Sequence, residues 1–231
     1  MASFAIELYR TIAPTRAWDV ITRWSFAFYS AWAGMSAIRD HARWLQTQDF
    51  ASLSLSHYLD FAADSIGTLF VLTIAVLVLI RYRRVLATES WYPRVVTVGC
   101  FAFALSLPFL PKHELPTVLT VISLLVTVVG AMLALTVLLV LGRSFSILPE
   151  ARRLVLHGPY RFVRHPLYAT ELVVQLGVLI QLAIWPTIPL FLVQLLFLVE
   201  RMRIEEAVLS QAFPEYTAYA RRTPRLIPGL W

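Results

Sequence analysis

Residues 69–80 read LFVLTIAVLVLI, a run broken by no charge and by only one polar side chain, Thr73. It closes an apolar segment, 58–80, and crossing the hydrocarbon core of a bilayer takes roughly 20 mainly apolar residues. Inside lipid the backbone must bond to itself, so the segment reads as a membrane helix. Three further segments outward from it reach that length: 17–38, 94–110 and 116–141. In 17–38, Asp19 and Arg23 stand four apart, where they can pair on one helix face. Two shorter runs follow, 167–185 and 187–200, around the sequence WPTIP at 185–189. Two nearby prolines do not fit one regular helix, so these runs predict a bend between two helices.

The expected fold is an all-α integral membrane protein, a bundle of about five to six transmembrane helices including a bent C-terminal helical hairpin. It forms one membrane domain over 1–231. Helices one to four fall in 1–141; a polar loop, the hairpin and a tail occupy 142–231. Composition agrees: 58% of the residues are apolar and 15% charged, with a mean hydropathy of +0.69. A soluble domain carries about a quarter charged residues. The single Cys100 rules out a disulfide or a cysteine metal site within one chain. His41, His57 and His113 lack ligand spacing, so no metal is expected. The first apolar run carries Asp19 and Arg23, unlike a cleavable signal peptide.

The net charge of +6 points to membrane topology rather than nucleic acid, because the arginines gather at the ends of apolar segments. With the amino terminus cytoplasmic, the inside holds Arg81, Arg83, Arg84, Arg143, Arg152, Arg153, Arg161, Arg164, Arg201 and the tail arginines. The outside holds Arg39, Arg43 and Lys112. Both termini are then cytoplasmic, in a plasma, inner or endomembrane. The run 167–200 must leave and return on that side, which brings the polar loop and the tail to one face.

That loop is HGPYRFVRHPLYATE, 157–171. Gly158 and Pro159 signal a turn. Pro166 suits the first position of a helix, which leaves the loop ending at His165. Tyr168 falls in the first turn, where unpaired N–H groups and the helix dipole attract anions. Arg161 and Arg164 add cationic donors and His165 a neutral donor or acceptor, so a ligand with a carboxylate or phosphate is expected. Arg152 and Arg153 read mainly as inside-facing topology markers. Glu205 can pair with Arg201 four residues before it, which alone would explain a solvated helix end; a role in the site is the other reading. Tyr216 and Tyr219 suit an interfacial aromatic belt or a stacking surface. Asp60 and Asp64 read as outer-interface residues, and Gly130 with Ala134 as a helix-packing pair.

The order GPYRFVRHPLY, then EE at 205–206, then FPEYTAYARRTPRLIP at 213–228 resembles the isoprenylcysteine carboxyl methyltransferase family, itself related to membrane phospholipid methyltransferases. The matching residues are Gly158, Tyr160, Arg164, His165, Pro166, Tyr168, Glu205, Glu206, Tyr216 and Tyr219, within roughly the last 90 residues. The chain departs from the pattern at Thr170, where the family often has Gly, and at Pro214, where it often has Gly. Glu171 also follows the motif, at a place where some related membrane reductases carry a glutamate.

The resemblance implies S-adenosyl-L-methionine as methyl donor, held by His157, Gly158, Tyr160, Arg161, His165, Pro166, Tyr168, Glu205, Glu206 and Tyr219. It implies a lipophilic or lipidated acceptor entering from the bilayer among membrane lipids. The helix start at Pro166 suits the donor's carboxylate, Glu205 or Glu206 its ammonium or ribose, and aromatic faces its sulfonium. Methyl transfer depends mainly on holding donor and nucleophile in line. Arg164 is then the residue that orients an anionic acceptor or the donor carboxylate. An amine acceptor would need a base, for which Glu206 is the candidate. Two other classes stay open: an NADPH-dependent membrane reductase of a sterol-like lipid, though Leu167 stands where such reductases tend to carry Asn, and a non-enzymatic scaffold.

Overall fold

The computed structural model describes residues 16–87, 90–107, 110–111, 114–182 and 184–227. Six long helices carry the described chain: α1 (Arg16–Thr47), α2 (Leu55–Ile80), α3 (Tyr92–Ser106), α4 (Thr117–Leu141), α5 (Pro166–Gln181) and α6 (Ile184–Ala212). A short α7 (Pro214–Ala220) follows. The six apolar runs thus correspond one to one with helices. Two of these, Leu55–Ile80 and Thr117–Ser144 (α4 with the turn after it), are long and apolar enough to cross a membrane; α5 is apolar but shorter. Its 16 residues rise about 24 Å, short of the roughly 30 Å hydrocarbon core.

The helices pack α1 on α2, α2 on α4, α4 on α5, and α3 on α6. Along α1 and α2 the chain direction reverses. Trp44 stacks on Phe61 at one end, with ring centroids 4.7 Å apart. At the other end Arg23 donates to the Leu79 carbonyl at 3.1 Å. The side chain of Asp19, and with it the expected Asp19–Arg23 pair, lies outside the described residues, as does His113.

The α4–α5 contact is the most extensive between helices among the described residues. A Cβ on Gly130 would lie 2.8 Å from the Val174 backbone nitrogen, and one on Gly177 would lie 2.8 Å from that of Thr127. Each glycine admits the other helix's backbone. Ser123 Oγ, buried in this seam, donates to the Gly177 carbonyl at 3.0 Å. In lipid no hydrophobic force drives two helices together, so close packing of small residues supplies the attraction.

The C-terminal bend falls where the prolines predict. Leu182 is extended, and so is Trp185 (φ −108°, ψ 122°), the residue before Pro186. A residue preceding proline is pushed out of the helical region. Pro189 sits early in the helix that follows, where backbone donors have no partner in any case. The chain then runs back, so the end of α6 meets the start of α5. It does not stop at residue 200: α6 carries Glu205 and Glu206 within it and ends only at Ala212. Arg201 Nε lies 3.4 Å from Glu205 Oε1, a pairing one helical turn apart that suits continued helix.

One feature departs from an all-α reading. β1 (Leu86–Ala87) pairs antiparallel with β2 (Glu150–Ala151), tying the segment after α2 to the segment after α4. Strands of two residues leave no alternating pattern in a sequence, so nothing announces them. Arg152, next to β2, is no surface topology marker. Its side chain is 0% exposed, 2.5 Å from Glu150 Oε2, and it also donates to the Tyr82 carbonyl. Arg153 does remain exposed. Beneath the ribbon lies the main apolar core, including Leu77, Val78, Val137, Leu138, Phe145 and Leu167.

Candidate functional site

The loop after β2 makes one turn of tight helix at Gly158–Arg161, entered through Gly158 at φ 60°, a backbone conformation that glycine adopts without strain. Pro166 opens α5 as its first residue, with His165 as the cap position. The tail lies alongside this loop. The Arg164 N–H donates to the Pro224 carbonyl at 2.8 Å, and the His165 N–H to the Arg225 carbonyl at 3.0 Å. Tyr219 Oη donates to the Tyr160 carbonyl at 2.7 Å, pinning α7 to the same loop.

Glu206 gathers three basic side chains. Arg164 Nη1 is 2.9 Å from its Oε1, His165 Nε2 3.1 Å, and Arg225 grips both oxygens. Burial alone would raise this carboxyl. The hydrogen bonds from His165 and Arg225 and the nearby charges outweigh it and hold the group at about 2. Glu205, one residue earlier, faces another set. It accepts a hydrogen bond from Tyr168 Oη and pairs with Arg201. The Arg201 guanidinium also lies over the Tyr168 ring at 5.0 Å and donates to the Ile147 carbonyl at 3.0 Å. His165 and Tyr168 stack nearly parallel, 5.5 Å apart. Burial pushes the Tyr219 hydroxyl up to about 12, so it remains a donor across the physiological range.

These groups border one cavity lined by both polar and apolar side chains. Its polar lining includes Tyr160, Arg164, His165, Tyr168, Glu205 and Tyr219. Its apolar lining includes Phe70 and Ile74 of α2, Leu141 of α4, and Phe145. Such a lining suits a ligand pair with a charged part and a hydrocarbon part. Arg164 Nε is buried with no hydrogen-bond partner among the described residues, a donor left over for an anionic group.

Of the residues named from sequence, Tyr160, Arg164, His165, Tyr168, Glu205 and Tyr219 meet in the cavity wall. Pro166 is buried just behind it. Glu206 lies behind Arg164 and His165 and is not among the lining residues. His157, Gly158 and Arg161 are exposed and do not line it either. Sequence reasoning did not single out Arg225 or the buried role of Arg201, and it noted Glu171 only as a departure after the motif. The signal for Arg225 was present, as an arginine between the prolines of the tail. Asp60, Asp64, His41 and His57 meet elsewhere, in a cleft between α1 and α2. No group of three or more metal-ligating side chains is arranged around a metal position among the described residues.

Residues 121–211 match the model of the isoprenylcysteine carboxyl methyltransferase (ICMT) family. The matched stretch runs from α4 through the loop and α5 almost to the end of α6. The chain is similar to protein-S-isoprenylcysteine O-methyltransferase B of Arabidopsis thaliana, 28% identical over 62% of this chain and 76% of the plant protein. It is also similar to the cobalt-zinc-cadmium resistance protein CzcN of Cupriavidus metallidurans, 40% identical over 33% of this chain and 36% of that protein. The chain therefore spans little more than a third of that bacterial relative's length. Among solved structures, a eukaryotic intramembrane Ras methyltransferase, ICMT, covers 99% of this chain and 83% of its own at 21% identity and a TM-score of 0.48.

Proposed function

We propose that the chain is an S-adenosyl-L-methionine-dependent methyltransferase of the membrane, acting on a lipophilic acceptor. The observation that carries this reading is the mixed lining of that cavity. Its polar side chains include residues that match the family pattern, and its apolar ones include Phe70, Ile74 and Leu141 from the two helices long and apolar enough to span a bilayer. The family match over residues 121–211 supports methyl transfer rather than hydride transfer.

The residues fit the donor. The free Nε of Arg164 suits its carboxylate. Glu205 suits its ammonium or ribose hydroxyls. The faces of Tyr160, Tyr168 and Tyr219 suit a sulfonium by cation–π attraction. When bound, the donor supplies a methyl group on a positively charged sulfur. What the protein adds is orientation: Glu206 fixes Arg164 and His165, and the tail fixes the loop that carries them. The exposed His157, Gly158 and Arg161 then shape the mouth of the site.

In this reading all six long helices belong to a membrane bundle of five to six crossings, with α5 and α6 as the bent hairpin. Both termini and the cavity face the cytoplasmic side, and a lipophilic or lipidated acceptor reaches the cavity from the bilayer. The test is calorimetric titration of the purified protein in detergent with S-adenosylhomocysteine and, separately, NADPH. Binding of the first alone is expected. Binding of NADPH alone would establish the reductase, and binding of neither by folded protein would leave a scaffold.

A further inference from the structure

Three carboxylates line the cavity, and two of them are held by cations. Glu150 sits 2.5 Å from Arg152 and 3.6 Å from Arg84. Glu205 is engaged by Arg201 at 3.4 Å and by the Tyr168 hydroxyl. The third, Glu171, lines the same cavity and makes no hydrogen bond or ion pair with any described residue. It stands three residues after Tyr168 on α5, so it shares that face and lies about 4.5 Å further into the bundle.

The titratable groups near enough to Glu171 to act on it electrostatically are Arg201 and Glu205 on α6, Cys100 on α3, Tyr168 on its own helix, and Tyr160 from the loop. Arg201 is the one cation in that set, and it is already committed to Glu205 and the Ile147 carbonyl. Two carboxylates thus share one guanidinium. Even a half-buried carboxylate without its own counter-ion is costly to keep. Ionisable groups at membrane depth persist where they meet a ligand.

Resting on the methyltransferase reading, we propose that Glu171 is the proton acceptor for the methyl acceptor, and that this acceptor is a lipophilic amine. The ammonium of the acceptor docks against the Glu171 carboxylate, its hydrocarbon among Phe70, Ile74, Leu141 and Phe145. One N–H proton moves to a Glu171 oxygen, which frees the nitrogen lone pair. That lone pair forms the new C–N bond as the methyl carbon's bond to sulfur breaks, and the breaking pair stays on sulfur. The methylated ammonium departs, and Glu171 resets by losing its proton to water. A carboxylate acceptor would instead meet repulsion from Glu171 and would have no use for a base.

The test uses the full chain in lipid nanodiscs. Radiolabelled methyl transfer is measured to dodecylamine and to dodecanoate. Binding of dodecyltrimethylammonium, which has neither a proton to give nor a lone pair to methylate, is measured by calorimetry with S-adenosylhomocysteine present. Dodecylamine is the expected substrate. Glu171→Gln is expected to weaken binding of the cation at least about tenfold while holding S-adenosylhomocysteine as the parent does. Glu171→Asp keeps the charge but retracts it; it is expected to bind the cation within a few-fold of the parent and to lose at least about tenfold in turnover. Methylation of dodecanoate alone, undiminished cation binding by Glu171→Gln, or full turnover by Glu171→Asp would each overturn the proposal and leave the methyltransferase reading standing. Failure of the parent to bind S-adenosylhomocysteine would remove both.

Discussion

Arg225 and Glu206 are joined by a two-pronged ion pair: Arg225 Nε is 3.0 Å from Oε1 and Nη2 is 2.9 Å from Oε2. The geometry is a planar fork against a planar carboxylate, which lysine cannot reproduce. It locks the tail to the end of α6 and, through the shared carboxylate, to Arg164 and His165.

Arg225→Lys should therefore behave as a loss rather than a conservative change. S-adenosylhomocysteine affinity is expected to fall about tenfold, because the tail no longer fixes the loop. Calorimetry on the folded variant reads this directly. Affinity equal to the parent's would show that the tail is held by its backbone bonds alone.

Glu206→Gln removes the charge that three basic groups surround. Loss of a charged acceptor from a half-buried donor costs about 1–3 kcal/mol. A clear drop in the thermal midpoint in detergent is expected, together with weaker cofactor binding.

The same carboxyl sets a pH dependence. Its folded value, about 2, lies below its ordinary value of 4.5. Its stabilisation is therefore complete above the ordinary value and is lost as pH falls from there toward the folded one. The gap in thermal midpoint between the parent and Glu206→Gln should stay constant from pH 8 to 5 and narrow below that. A gap that instead kept its full size down to pH 3 would show that this carboxyl does not set the dependence.

Tyr168→Phe keeps the ring stacked on His165 and under Arg201 but deletes the hydroxyl that bonds Glu205. Cofactor affinity should fall while the thermal midpoint changes little. His165→Ala, which removes both the stack and a bond to Glu206, should lower both.

Gly177→Leu should open the α4–α5 seam, since even one added carbon would lie 2.8 Å from backbone and 2.3 Å from the Thr127 hydroxyl. Overpacking of this kind costs about 1–3 kcal/mol or more. Limited proteolysis at the loop between α4 and α5 would register the loosening.

Much of this was readable in the residues. The six apolar runs became six helices, the WPTIP bend fell one residue before its first proline, and Gly130 packs against α5 as a small residue should. The Arg164–Tyr168 loop and the Glu205–Glu206 helix end do meet. What stayed hidden shares one cause. Arg225 reaches Glu206 across 19 positions and Arg152 reaches Tyr82 across 70. Spacing rules see neighbours on one helix and nothing further. Hydropathy likewise could not show that α6 continues past residue 200, because a helix end is set by backbone bonding and not by where its side chains turn polar.

The two backbone bonds from Arg164 and His165 to Pro224 and Arg225 also impose an order in time. A ribosome makes the loop some sixty residues before it makes the strand of tail that the loop leans on. The helices can pack first, but the loop over the cavity cannot take its final shape until the tail has emerged and folded back. A nascent chain arrested short of Pro224 would be a membrane protein with its helices in place and its site still open.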